Sequence, residues 1–347
     1  MIDTYAVLYE GKRTLTPRSI KGPCAPERDE VQIDVAYNGI CGTDLHIFHG
    51  AMDHRVNPPS VIGHEMSGTI VATGSDVTGW PVGSSVTVMP LDWCNDCPAC
   101  SAGHNHVCHN LNFVGIDSAG AIQQRWNVRQ DLLVALPSDL ALDVAALTEP
   151  LAVAVHDVRR GHVQAGDQVV VIGGGPIGVL IALVCHDIGA TAIVSEPDAG
   201  RRGLAGDLGV ATIDPMGEDL VQHVEEWTEG KGADVVFEVS GTQPGVDDML
   251  SVLRTRGVGV VVGIHNKAPA VDLFRMFWRE LELKGARVYE RSDFEQAVDL
   301  LAAGKIPAEG IISGIVPATS AQAGFERLDA GGSVLKLLID CRAFGDD

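Results

Sequence analysis

The stretch Gln168-Val169-Val170-Val171-Ile172-Gly173-Gly174-Gly175-Pro176-Ile177-Gly178 decides how the middle of this chain folds. Val169 to Ile172 are typical of a strand buried on both faces, and the glycines follow at the spacing G-x-G-x-x-G. Gly173 permits a tight turn, Gly175 lets the backbone approach a pyrophosphate, and Gly178 allows a helix to pack closely on the strand. The helix that begins at Pro176-Ile177 supplies N–H groups for the phosphates. The stretch therefore predicts a dinucleotide-binding turn.

An acidic residue follows the next predicted strand. Thr191 to Ser195 is that strand, and Glu196 comes directly after it, 18 residues beyond Gly178. A carboxylate there accepts hydrogen bonds from the ribose hydroxyls of adenosine and repels a 2′-phosphate. Arg201 and the adjacent Arg202 either approach the cofactor or form a solvated helix face. We predict NAD as the cofactor and keep Arg201 among the residues that bind it.

Apolar runs and helix-like segments alternate around this turn, which predicts an α/β fold with a doubly wound parallel sheet over 152–286. Residues 1–151 instead carry short alternating stretches such as Val31 to Val35, typical of a β-rich, barrel-like domain. A helix at Phe294 to Ala303 and a strand at Ser333 to Asp340 assign 287–347 to that first domain. Further strands are predicted at 234–239 and 258–262, and helices at 176–189, 199–208, 219–228 and 244–254.

Four of the eight cysteines are crowded into one segment, at Cys94, Cys97, Cys100 and Cys108. Such crowding in an intracellular chain indicates metal binding rather than disulfides. Four thiolates complete a tetrahedral zinc site and leave no open position, so this zinc would be structural. Histidines at 104, 106 and 109 are either substitute ligands or ordinary loop residues.

A second possible metal site is dispersed along the chain. Its candidates are Cys41, His64, Glu65 and Glu149, which together offer sulfur, nitrogen and oxygen. A catalytic zinc takes three protein ligands and keeps one open position, and mixed ligands suit it. Without the rest of the pattern, each of these residues would more often be an ordinary polar or core residue.

The overall charge narrows the range of partners. The chain carries 46 acidic against 25 basic residues, a formal net charge of −21, which disfavours nucleic acid. Its most apolar stretch, Val169 to Cys185, is shorter than the ~20 residues of a spanning helix. We therefore expect a cytoplasmic enzyme with a small-molecule substrate and no membrane partner.

Five motifs, in this order, resemble those of the zinc-containing medium-chain alcohol and polyol dehydrogenases over nearly the whole chain. They are the Cys41 segment, Gly63-His64-Glu65, the four-cysteine lobe, Glu149-Pro150 and the dinucleotide turn. The resemblance implies a GroES-like catalytic domain, a Rossmann domain, and a homodimer or homotetramer. It also implies two zinc ions per chain, with Cys41 and His64 at the catalytic ion and either Glu65 or Glu149 as the third ligand.

The resemblance assigns further roles. Asp44 would hold the ring of His64. Thr43 and His46 match the family's proton relay. Three positions match cofactor contacts: Val262 and Val288 at the nicotinamide, and Lys336 near the pyrophosphate.

The implied reaction is hydride transfer between a secondary alcohol or polyol and NAD, with zinc acting as a Lewis acid. Glu149-Pro150 and Ser195-Glu196-Pro197 look most like butanediol and polyol dehydrogenases, whereas Cys41 to Ile47 also looks like threonine dehydrogenases. The stretch Gly120 to Trp126 departs from the family pattern. A zinc-free quinone reductase or a binding-only relative would lack the ligands at 41, 64 and 149.

Overall fold

The first part of the chain consists of short strands, as its composition predicts. The computed structural model describes residues 3–344. The strands that precede residue 137 are β1 (Asp3–Gly11), β2 (Thr14–Lys21), β3 (Glu30–Gly39), β4 (Ser60–Val61), β5 (Glu65–Thr73), β6 (Ser85–Val88), β7 (Leu91–Asp92), β8 (Asn112–Phe113), β9 (Arg125–Arg129) and β10 (Leu133–Ala135). Three short α-helices interrupt them: α1 (Gly42–Phe48), α2 (Asp53–Val56) and α3 (Pro98–Ser101).

The remaining helices and strands lie between residues 142 and 340. The helices are α4 (Leu142–Ala145), α5 (Thr148–Gly161), α6 (Pro176–Ile188), α7 (Ala199–Asp207), α8 (Leu220–Trp227), α9 (Gln243–Val252), α10 (Leu273–Arg279), α11 (Arg291–Ala302), α12 (Ala308–Ile311) and α13 (Ala321–Asp329). The strands are β11 (Gln168–Ile172), β12 (Thr191–Ser195), β13 (Ala211–Ile213), β14 (Ala233–Glu238), β15 (Leu253–Val261), β16 (Glu282–Gly285), β17 (Ile312–Pro317) and β18 (Lys336–Asp340). Short 3₁₀ segments lie at Asn105–Val107, Gln130–Leu132 and Ala318–Ser320.

A seven-stranded sheet joins strands of the first part of the chain to β17 and β18; its order is β10-β6-β5-β3-β18-β17, with β9 also paired to β3. Strand β18 runs antiparallel to β3, so residues near the C-terminus complete a sheet begun near the N-terminus. In β3, Val31, Ile33 and Val35 are buried, as their alternation predicts. A three-stranded sheet, β2-β1-β4, and the pair β7-β8 stand beside it.

The nucleotide part is a six-stranded parallel sheet in the order β13-β12-β11-β14-β15-β16, the Rossmann arrangement. Alternate residues of β11 pack into different clusters. Val169 and Val171 pack with residues of α6, whereas Val170 and Ile172 pack with residues of α8 and α9. Both faces of the sheet are therefore covered, which explains the unbroken apolar run. The α/β fold class predicted from the sequence is confirmed.

One predicted helix ends earlier than expected. The sequence predicts a helix over 244–254, but α9 stops at Val252, and Leu253 already pairs with Ala233 in the sheet. Leu253 and Arg254, which the local pattern assigned to the helix, therefore belong to β15, which pairs with β14. Strands β13, β16 and β17 were not predicted: β13 and β16 have three and four residues, and β17 is interrupted by Ser313 and Gly314. In residues 3–344, no helix combines the length and the apolar character that crossing a membrane requires.

Candidate active site

Pairing between β3 and β5 brings the first two metal-ligand motifs together. Gly39 at the end of β3 pairs with Glu65 at the start of β5. Cys41 comes just after this pair on one strand, and His64 comes just before it on the other. Gly39 has no room for a side chain, because a Cβ there would lie 2.1 Å from Glu65 Oε2. One donor atom from each of Cys41, His64 and Glu65 lies within 4.8 Å of the others. The three-residue cluster is therefore a product of sheet register.

Asp44 organises this cluster from α1. Its Oδ2 accepts a hydrogen bond of 2.9 Å from the backbone N–H of Cys41, at the start of the helix. Its Oδ1 lies 3.5 Å from Nδ1 of His64, and both of those atoms are buried without a hydrogen-bond partner. Asp44 thus faces one ring nitrogen of His64 and leaves Nε2 available as a ligand.

Lys336 is the neighbour of Glu65 rather than of the dinucleotide turn. Its ammonium is buried and donates to Glu65 Oε1 at 2.7 Å, to Glu65 Oε2 at 2.8 Å and to the carbonyl of Ile40 at 3.1 Å. Burial lowers the pKa of Lys336, but the carboxylate of Glu65 more than compensates and raises it. The three protons of the ammonium are thus donated to Glu65 and Ile40. The assignment of Lys336 to the cofactor pyrophosphate stays a prediction.

Glu149 lies beside the cluster but outside the three converging donors. It belongs to the first turn of α5, is buried, and accepts a hydrogen bond of 2.8 Å from the hydroxyl of Tyr289. Burial raises the pKa of Glu149 to about 7. Tyr289 was not among the residues singled out from the sequence, because nothing in its local pattern links it to Glu149, 140 residues away.

The cluster suits a divalent cation. It combines a thiol, an imidazole and a carboxylate, the ligand types of a catalytic zinc site. Nδ1 of His64 and Oδ1 of Asp44 face each other at 3.5 Å, so the second ring nitrogen, Nε2, is the one left for a metal. A ring oriented by a carboxylate is the usual support for a metal-bound histidine.

The four cysteines of the lobe also converge. Their sulfur atoms lie within 4.8 Å of one another, and the pairs include Cys94–Cys108 at 3.5 Å and Cys97–Cys100 at 3.6 Å. Backbone N–H groups of His109 and Asn110 donate to these sulfurs at 3.4 and 3.3 Å, which favours the thiolate form. Four thiolates without a fifth ligand suit a closed structural zinc site.

The dinucleotide turn has the form that its glycines predict. Gly173 adopts φ of +109°, and a Cβ on Gly178 would lie 1.9 Å from the carbonyl oxygen of Gly173. A Cβ on Gly175 would meet nothing within 4 Å, so the space above it is free. Gly175 is followed by Pro176 in the first turn of α6, and the unpaired N–H groups of such a helix N-terminus favour an anion.

Glu196 is hydrogen-bonded to the dinucleotide turn. The carboxylate is buried and accepts hydrogen bonds from the N–H of Gly174 at 2.7 Å and of Asp198 at 2.8 Å. Arg202 donates to the carbonyls of Glu196 and Pro197 and to Asp214. Arg202 is therefore committed to the loop, whereas the guanidinium of Arg201 forms no ion pair or hydrogen bond with any residue from 3 to 344.

The remaining predicted residues lie on α1 and in the loops that follow β15 and β16. Thr43 and His46 are one turn apart on α1, and His46 is exposed. The N–H of Val262 donates to the carbonyl of Glu238 at 2.9 Å. Val288 has a φ of +50°, unusual for a β-branched residue and typical of backbone shaped for a functional contact.

Two family models match the chain. One is described as "Alcohol dehydrogenase GroES-like domain" and covers residues 27–138, and the other, "Zinc-binding dehydrogenase", covers residues 176–303. The chain is 49% identical to 2-dehydro-3-deoxy-L-galactonate 5-dehydrogenase of Pseudoalteromonas atlantica, over 92% of this chain and 94% of that one. It is 34% identical to D-arabitol-phosphate dehydrogenase of Enterococcus avium, over 90% of each chain. A Sinorhizobium meliloti 1021 protein bound to NADP has the same fold, with a TM-score of 0.91, 30% identity, and coverage of 98% of this chain and 100% of that one.

Proposed function

The chain belongs to the zinc-containing medium-chain alcohol and polyol dehydrogenase family, and within it we propose an NAD-linked enzyme that oxidises a secondary hydroxyl of a polyhydroxy acid. It is an oxidoreductase that acts on CH–OH groups. The observation that carries the proposal is the convergence of Cys41, His64 and Glu65 in a domain joined to a complete dinucleotide turn. The 49% identity to a dehydrogenase of a sugar acid supports this substrate class.

The catalytic cluster would hold zinc through Cys41, His64 and Glu65, with Glu149 and Tyr289 behind them. When bound, zinc would supply the Lewis acidity that lowers the pKa of the substrate hydroxyl, and NAD would accept the hydride. Asp44 keeps the His64 ring in place. Thr43 and the exposed His46 lie one turn apart on α1, and the imidazole would pass the released proton to solvent.

The preference for NAD rests on Glu196. Its carboxylate lies at the end of β12, where two backbone N–H groups hold it. A 2′-phosphate brought to this position would meet a fixed negative charge. Arg201 is the competing influence, because its guanidinium is uncommitted and could attract that phosphate.

We also propose two zinc ions per chain, one in each cluster, and a homo-oligomer in the cytoplasm.

Helix α10 exposes Leu273, Phe274, Phe277 and Trp278, each at 70–76% of full exposure, next to the open edge strand β16. An apolar surface beside unpaired strand edges is an association site, and a second copy could pair along the same edge. Phe277→Asp should then reduce the mass measured by sedimentation; an unchanged mass would place the interface elsewhere.

A substrate panel tests the proposed reaction. It contains 2-dehydro-3-deoxy-L-galactonate, butanediol, xylitol and threonine, each with NAD and with NADP, and absorbance of the reduced cofactor reports turnover. We expect the highest kcat/KM for the sugar acid with NAD. Oxidation of threonine alone would make the chain an amino-alcohol dehydrogenase. Higher kcat/KM with NADP would show that Arg201 outweighs Glu196.

A further inference from the structure

Glu238 is a fully buried acidic residue at the carboxyl end of β14, in the interior of the parallel sheet. Its register partners are Ile172, the last residue before the glycine-rich turn, and Val261, the last residue of β15. Ligands of such sheets bind outside the carboxyl ends of the strands. Glu238 therefore lies at the edge where a dinucleotide is expected, and the chemistry proposed above gives it no role.

Close contacts at glycine positions bring three loops together at this edge. A Cβ on Gly173, in the dinucleotide turn, would lie 3.1 Å from the backbone nitrogen of Ser240. A Cβ on Gly241 would lie 2.7 Å from the carbonyl oxygen of Ile264, and a Cβ on Gly263 would lie 2.4 Å from the nitrogen of Gly241. The loops that follow β11, β14 and β15 are thus in direct contact, so a shift of one loop would displace the others.

The carboxylate of Glu238 holds two of these loops together. It accepts hydrogen bonds from the hydroxyl of Ser240 at 2.5 Å and from the N–H of Gly241 at 3.0 Å, both in the loop after β14. In the loop after β15, Nε2 of His265 lies 2.9 Å from Oε2 of Glu238. Since an ionised carboxylate can only accept a hydrogen bond, Nε2 carries the shared hydrogen. The side chain of His265 is only 12% exposed, so water screens this contact less than it would a surface pair.

The main chain of Glu238 fixes the start of the loop that carries His265. Its carbonyl accepts hydrogen bonds from the N–H of Val262 at 2.9 Å and from the N–H of Gly263 at 2.8 Å. Val262 is the position that the family resemblance matches to the nicotinamide. Glu238 thus anchors this loop at two points, at Val262–Gly263 through its main chain and at His265 through its side chain.

We propose that Glu238 and His265 are positioning residues for the dinucleotide, because their hydrogen bond holds the loop after β15 in the conformation that receives the cofactor. The inference rests on one part of the proposed function, the binding of a nicotinamide dinucleotide, and not on the identity of the alcohol. Strand β11 lies between β14 and β12, the strand that precedes Glu196, so the two acidic residues flank the turn from different sides. The Glu238–His265 pair should therefore govern affinity for NADH and NADPH alike, whereas Glu196 governs the choice between them.

The test is a fluorescence titration of the zinc-loaded protein with NADH and with NADPH, together with Tm measured without cofactor. His265→Phe removes the hydrogen-bond donor and keeps an aromatic ring. A loop that has lost this contact spends part of its time in other conformations, so the apparent Kd should rise roughly tenfold for both cofactors. His265→Gln should recover most of the affinity, since its amide nitrogen can replace Nε2 as the donor to Glu238.

Arg254→Gln is the matched control, because it removes a similar contact from the other end of β14. Nε of Arg254 donates to Oδ1 of Asp234 at 2.6 Å. Asp234 precedes Glu238 by four strand residues, a distance of about 13 Å at ~3.3 Å per residue. A loss of sheet stability should lower Tm in Arg254→Gln as well, but only His265→Phe should weaken cofactor binding.

Several outcomes would overturn the assignment. A lower Tm with wild-type Kd for both cofactors would mean that the pair only stabilises the fold, and an equal rise of Kd in Arg254→Gln would trace the effect to general loosening of the sheet. Failure of His265→Gln to recover affinity would remove the hydrogen bond from the explanation, and weaker binding of one cofactor alone would place His265 at the 2′ position instead.

Failure of the proposed function would look different. Wild-type protein that binds neither NADH nor NADPH would refute the use of a dinucleotide, and this inference with it. Wild-type protein that prefers NADPH, with both cofactors weakened in His265→Phe, would overturn the preference for NAD and support the positioning role of the pair.

Discussion

Alanine substitutions at Gly178 and Gly175 should affect different properties, stability and cofactor affinity, because the two glycines lack side chains for different reasons. In Gly178→Ala the new methyl group would lie 1.9 Å from the carbonyl oxygen of Gly173, about 1.5 Å closer than ordinary contact. In Gly175→Ala it would meet nothing within 4 Å in the protein. The first change therefore acts on the fold, and the second acts only when a pyrophosphate occupies the free space.

The magnitudes follow from the structure. Overpacking against backbone costs about 3 kcal/mol at the upper end of its usual range, and the better helix propensity of alanine returns about 1 kcal/mol. Gly178→Ala should then lose about 2 kcal/mol of stability, a decrease of roughly 5–8 °C in Tm for a domain of this size. Gly175 precedes α6 with a φ of −70°, which alanine adopts freely, so Gly175→Ala should lose less than about 1 kcal/mol. Its affinity for NADH should fall roughly tenfold or more, since the methyl group must displace the phosphate.

Two measurements on each variant separate these effects. Circular dichroism without cofactor reports Tm, and fluorescence titration with NADH reports affinity. A wild-type Tm for Gly178→Ala would refute the packing argument. Wild-type NADH affinity for Gly175→Ala would show that the pyrophosphate does not lie over this glycine.

Four further predictions concern cofactor choice, metal, proton transfer and stability. Glu196→Ser should lower kcat/KM with NAD and raise it with NADP, because the repulsion of the 2′-phosphate is removed while Arg201 remains; unchanged selectivity would exclude Glu196. Cys97→Ser should reduce zinc from two to one per chain and lower Tm, since structural zinc contributes to folding energy, and full zinc content by elemental analysis would contradict this. His46→Gln should slow oxidation most at low pH with zinc content intact, and an unchanged pH–rate profile would remove His46 from the relay. Burial raises the pKa of Asp293, but hydrogen bonds from His156 and Arg159 outweigh burial and lower the pKa. The ionised Asp293 therefore stabilises the folded protein above the unfolded-state pKa of ~3.9, and this contribution to the free energy of unfolding is lost as pH falls below that value. Asp293→Asn should therefore cost about 2 kcal/mol at pH 7 and less toward pH 3, and a pH-independent loss in urea denaturation would contradict this reasoning.

Short-range patterns were enough to predict most of the nucleotide part. Strand β12 has the predicted limits, and β11 and α6 differ from the prediction by one residue at one end, because a buried parallel strand and a glycine-punctuated turn are local signals. The four cysteines of the lobe are similarly close in sequence, so their convergence required little knowledge of the fold. The strands β13 and β16 lie at the two edges of the sheet, where burial is lower and the apolar pattern is weaker.

The sequence by itself determined which residue types were available for metal, cofactor and proton transfer, since thiols, imidazoles and carboxylates are recognisable at any distance. Only the tertiary structure decided which of them meet. Sheet register sets Glu65 beside Cys41, and β18 carries Lys336 to Glu65. Packing of α5 against the loop after β16 joins Glu149 to Tyr289. Such contacts follow from strand order and packing, which local patterns do not encode.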